Sequence, residues 1–131
     1  MGRVEILFGL VRAHAALKFP WIGFVKFAFC PLADRHHAKK WRQFAHTNHR
    51  VYTVCFARAA EVELLDEEIL GLVAHEIGHI VGKRLRYPEH SRPGTGKSTP
   101  KRIQDEADRI AKEVLGFDIR YNKRTLQELR T

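Results

Sequence analysis

The chain has 131 residues, enough for one hydrophobic core and too few for two, so a single domain spanning residues 1–131 is expected. Its 23 Lys and Arg against 15 Asp and Glu give a formal charge of +8, a field that favours an acidic partner, whether nucleic acid, an anionic surface or an acidic protein. No run of about 20 apolar residues is present, which excludes a helical membrane span.

Residues 4–17 carry apolar side chains at Ile6, Leu7, Leu10, Val11 and Leu17, a helical recurrence that Pro20 ends. Arg3, Glu5 and Arg12 interrupt this segment, and it lacks the cleavage pattern of a signal peptide. Residues 24–29 and 51–56 are short and rich in aromatic and β-branched side chains, which predicts two strands. Cys30 and Cys55 fall with these strands and read as two buried thiols in a reducing, cytoplasmic setting; adjacent strands would also permit a disulfide. Between the strands lie Asp34, Arg35, His36, His37, Lys39, Lys40, Trp41, Arg42, His46, His49 and Arg50. Their histidine spacing fits no closed zinc cage and no cysteine pair accompanies it, so the segment is expected to be exposed and basic. Its Lys, Arg and Trp41 could stack on and neutralise a nucleic acid.

Residues 66–81 form the strongest helical pattern. Asp66 can cap the start, Glu67 and Glu68 place negative charge in the first turn, and Gly82 offers a stop. Ile69, Leu70, Leu72, Val73, Ile77, Ile80 and Val81 cover so much of the circumference that this helix must be largely buried. Within it, His75-Glu76-Ile77-Gly78-His79 sets two imidazoles four residues apart on one face, where they can hold one metal ion. Glu76 beside them is placed to act as a general base toward a metal-activated water.

Residues 83–101 contain Pro88, Pro93, Gly94, Gly96 and Pro100 with many Lys and Arg, and read as a long basic loop. Gly96-Lys97-Ser98 is not a phosphate-binding loop, since Ser91 stands where the motif needs its first glycine. Ile103, Ala107, Ile110, Ala111 and Val114 then recur at helical spacing. At about 100° per residue, Gln104 and Asp108 share one flank of this second helix and Glu106 lies on the other. A catalytic zinc takes three protein ligands, so this helix is the natural source of the third. Asp108 is the carboxylate best placed to supply it, directly or through His75, with Glu106 next. Asp105 is expected to face solvent and pair with Arg109. After Gly116, residues 125–130 could add a helical turn.

The stretch from Leu72 to Gly82 resembles the active-site helix of the zincin metallopeptidases, which implies an α+β fold and zinc-dependent hydrolysis of a peptide or protein substrate. Gly82 fits the metzincin extension, but Leu85 stands where that group has its third histidine. The segment around Glu106, Ala107 and Asp108 resembles the second helix of gluzincins and of small phage and bacterial proteins with the same core. That resemblance places Gln104 at the position of the ligand glutamate and Asp108 at that of an aspartate supporting the first histidine. A neutral amide is a weaker zinc ligand than a carboxylate. It further implies that the strand before the active helix, within residues 51–62, aligns an extended substrate, and that a Tyr such as Tyr87 or Tyr121 could face the cleft. The competing expectation is a catalytically inactive zincin-like module that binds nucleic acid or an acidic protein.

Overall fold

A computed structural model describes residues 2–38, 43–92 and 100–117 of the chain. Helix α1 (Arg3–Ala16) leads through a 3-10 turn (Pro20–Phe24) into strand β1 (Lys26–Phe29). Helix α2 (Pro31–Ala38), strands β2 (Ala45–Asn48) and β3 (Thr53–Phe56) and the single turn α3 (Ala60–Glu63) follow. The long helix α4 (Asp66–Arg84), short α5 (Pro88–Ser91) and α6 (Lys101–Arg109) complete the order, α6 widening into a π turn over Ile110–Val114. This is an α+β architecture with an N-terminal helix and a small mixed sheet, and none of its helices is long and apolar enough to cross a membrane among the described residues.

The sheet runs β1-β3-β2, with β3 parallel to β1 and antiparallel to β2. β3 is therefore central and paired on both sides, which corrects the expectation that its edge would receive a substrate. The edge beside α4 belongs to β2, in a segment read from sequence as an exposed basic stretch. Apart from Thr47, the β2 residues Ala45, His46 and Asn48 carry little intrinsic strand preference, and pairing with the hydrophobic β3 makes them a strand. α2 was hidden in the same stretch; Asp34 in its first turn accepts hydrogen bonds from the Arg58 backbone and guanidinium at 2.8 and 2.7 Å.

α1 buries Val4, Phe8, Val11 and Ala15, while Ile6, Leu10 and Leu17 of the expected apolar set stay exposed. The buried stripe is the one that meets the sheet: the Phe8 ring lies 5.6 Å from Phe27 and 6.3 Å from Phe56. Each fully buried ring contributes roughly 1.5–3 kcal/mol of hydrophobic stabilisation.

α4 runs through the middle, packed chiefly on α6 and α1, and is buried almost continuously from Glu68 to Gly82. Asp66 is its first helical residue rather than its cap, and the Glu68 carboxylate accepts the Leu65 N–H at 3.0 Å. Gly82 does not stop the helix. The stop is Arg86, left-handed at φ 55°, with Tyr87 N–H bonding Gly82 C=O at 2.9 Å across the last turn. The glycines serve packing instead: a Cβ on Gly78 would lie 2.5 Å from the Ala107 carbonyl of α6, and one on Gly82 2.5 Å from His90 Nδ1.

Candidate metal centre

His75 and His79 lie one turn apart on the buried face of α4, and their Nε2 atoms come within 3.1 Å of each other. α6 crosses at Gly78, close enough for Gln104 to insert its amide oxygen between them, 2.7 Å from His75 Nε2 and 2.9 Å from His79 Nε2. Asp108, one turn further along α6, meets the other side of the first ring: its Oδ1 accepts from His75 Nδ1 at 2.6 Å. Of the two routes expected for Asp108, directly to a metal or through His75, the contact present is the one through His75. A side chain that engages Nδ1 lies behind the imidazole, and the place facing both Nε2 atoms is held by Gln104.

Glu106, the second choice for that place, is also elsewhere. It is buried and holds His90, accepting the ring Nδ1–H at 2.6 Å and the His90 backbone N–H at 2.8 Å, with the Glu89 N–H at 3.0 Å on its other oxygen. His90 Nε2 in turn lies 3.0 Å from His79 Nδ1. Residues 83–101, read as a loop, thus contain a helical turn that carries a buried histidine to the back of the second imidazole. His90 was missed because it is remote in sequence and lies in a basic segment. The available signal was the pair Gly78 and Gly82, each three residues after a motif histidine, which marks a strip where another element approaches closely. Asp105 faces outward, as expected, but pairs with Lys101 at 2.7 Å rather than with Arg109.

Burial pulls the His75 pKa down, but the hydrogen bond to Asp108 and the charges of Glu76 and Asp108 outweigh it and leave the pKa raised. For His79 burial prevails over the attraction of Glu76 and pushes the pKa down to about 4. Burial would raise the Glu106 pKa, yet the His90 ring and two backbone N–H groups lower it on balance, which keeps it an acceptor.

Counting protons gives the site its chemical character. Ionised Glu106 can only accept, so a neutral His90 gives it the Nδ1 proton and offers Nε2 as an acceptor to His79 Nδ1–H. His79 Nε2 is then a bare lone pair. The same logic with Asp108 leaves His75 Nε2 bare, and the Gln104 oxygen completes a triangle of three acceptors 2.7 to 3.1 Å apart. With the amide oxygen turned inward, three lone pairs aimed at one another require a proton or a cation among them. Ligands about 2.0–2.1 Å from a tetrahedral zinc stand roughly 3.3 Å apart, so this donor set fits zinc with an adjustment of a few tenths of an ångström.

Glu76 turns toward the sheet. It is 6% exposed, and its Oε2 accepts from Thr47 Oγ1 of β2 at 2.7 Å. Tyr87 is half-buried against the core and lines a cleft with Glu89, Glu106 and Arg109. Tyr121 and residues 125–130 lie outside the described residues. On the other face of the sheet, Cys30, His46 and Cys55 come together with ligand atoms all within 4.8 Å of one another, a group that could hold a metal ion. The expectation that no cysteine pair accompanies the histidine-rich segment is overturned: Cys55 pairs with His46 across the β3-β2 ladder, and Cys30 follows the parallel strand β1. A scan against protein-family models finds no matching family, and searches of the curated proteins and of the solved structures return no match.

Proposed function

We propose that the chain is a zinc-dependent peptidase with His75, His79 and Gln104 as ligands and Glu76 as general base. The convergence of two imidazole nitrogens and one amide oxygen on a common point carries this reading. Asp108 behind His75, and the pair His90 and Glu106 behind His79, hold the Nδ1 protons and so aim both Nε2 lone pairs inward. Bound zinc would supply Lewis acidity, enough to bring the pKa of water to about 7. Glu76, oriented by Thr47, takes the proton of the attacking water and returns it to the leaving amine. β2, paired on one side with β3 and adjoining α4, offers its other edge to an extended peptide, which would add as a further strand and run past Glu76.

Replacing Glu76 by Gln tests the assignment. Zinc content stays at the wild-type level, while hydrolysis of a peptide library falls by roughly 10²–10⁴-fold. Full activity in Glu76→Gln refutes the mechanism, and a zinc-loaded wild type that cleaves no peptide refutes the activity.

One observation favours a second reading. Gln104 is neutral where gluzincins have a carboxylate, and with its amide turned over its two N–H groups would satisfy both imidazoles with no metal at all. The chain would then be an inactive zincin-like module whose charge of +8 binds nucleic acid or an acidic protein. Absence of zinc after loading, together with salt-sensitive nucleic-acid binding, would select it.

A further inference from the structure

We propose that Cys30, His46 and Cys55 form a second, structural zinc site that staples the edge strand β2 to the rest of the sheet, with His36 of α2 beside it to close the shell. This site is independent of His75 and His79 and uses none of their side chains.

Alternation along the strands explains why the three residues meet. Val54 and Phe56 of β3 point into the core, so Cys55 between them points to the opposite face. His46 is its cross-strand partner on β2, and Cys30 follows Phe29, whose register partner is Phe56. One residue comes from each strand or its immediate end, so a shared ion would tie all three strands together.

The distances suit zinc. Cys30 Sγ lies 3.9 Å from His46 Nε2, and all three ligand atoms fall within 4.8 Å of one another. A thiolate at about 2.3 Å and an imidazole at about 2.0–2.1 Å from a tetrahedral zinc stand roughly 3.6 Å apart, close to the observed gap. Both cysteines are free thiols. The fourth position has a candidate in His36, whose ring centroid is 5.6 Å from that of His46. The Nδ1 atoms of both rings are buried without a hydrogen-bond partner among the described residues, unlike those of His75 and His79, so no described side chain fixes the protons of these two rings. Two sulfurs and two imidazoles make a closed set of the structural kind, with no position left for substrate. Binding would release the two thiol protons.

A three-stranded sheet with four residues per strand is a small one, and β2 is one of its two edges. The same strand carries Thr47 to Glu76 on its opposite face. Anchoring His46 therefore fixes the strand that positions the general base.

The test is iodoacetamide labelling of the full chain, read by mass spectrometry before and after chelation, beside cobalt substitution in wild type, His75→Ala and Cys55→Ser. Both cysteines should be protected in the zinc-loaded protein and alkylated once chelator is added. Cobalt should give a near-ultraviolet thiolate charge-transfer band that persists in His75→Ala and disappears in Cys55→Ser, and β2 amides should exchange faster after zinc removal. The labelling uses wild type, so a poorly folding Cys55→Ser chain does not blunt it. Labelling unaffected by chelation, a missing charge-transfer band in wild type, or a Cys30 to Cys55 disulfide in the freshly purified protein each overturns the proposal.

Discussion

Gly82→Ala should destabilise the protein strongly although it places the better helix former inside a helix. The new Cβ would stand 2.5 Å from His90 Nδ1, 2.8 Å from its Cγ and 2.8 Å from its Cε1, so the ring cannot stay where it is. His90 cannot simply rotate away, because Nδ1 is held by Glu106 at 2.6 Å and Nε2 by His79 at 3.0 Å. Displacing it loses a charge-assisted hydrogen bond, about 1.5–3 kcal/mol. Overpacking adds about 1–3 kcal/mol, and the helix preference of Ala returns about 1 kcal/mol. The net loss is about 3 kcal/mol, which for a chain of this length lowers the melting temperature by about 10 °C. Gly9→Ala is the control: Gly9 lies in α1 and a methyl added there would meet nothing within 4 Å, so the same change should stabilise by about 0.5–1 kcal/mol. Urea unfolding of the two variants should show shifts of opposite sign. If Gly82→Ala were as stable as Gly9→Ala, the packing of His90 against α4 would be wrong, and the chain from Glu106 to His79 with it.

Gln104→Glu puts a charged oxygen between the two Nε2 atoms and should tighten zinc binding, on the order of 10- to 100-fold in a chelator competition; unchanged affinity would remove Gln104 from the ligand set. In chelator-treated protein, His79 sets a pH dependence whose sign follows from its folded pKa of about 4 against 6.5 unfolded. The unfolded chain takes the proton first, so stability falls as pH drops from 6.5 to 4, by up to about 3 kcal/mol at 1.36 kcal/mol per pH unit. His75, whose folded pKa is raised, acts oppositely: its contribution is fully present below pH 6.5 and fades as pH rises through the folded value. Comparing wild type with His79→Asn isolates the first effect, and identical slopes between pH 4 and 6.5 would refute it.

Local spacing determined a good part of this protein. Two histidines four residues apart share a helix face whatever surrounds them, and a run such as Ile69 to Val81 must be buried because apolar side chains occupy most of the circumference. The same argument puts Gln104 and Asp108 on one flank of α6, and both reach His75. Spacing along a helix fixes which side chains travel together, but not which partner they meet. Which of the two took the place facing the Nε2 atoms depended on how closely α6 approaches at Gly78. The support of His79 by His90 and Glu106 joins residues 11 and 16 positions apart across three helices. Apart from Thr47, β2 has little strand preference of its own and exists because β3 is there to pair with. Cys30, His46 and Cys55 meet for the same reason, since register between strands is set by which face of the sheet is buried, and that is decided only when α1 and α4 close over Val54 and Phe56.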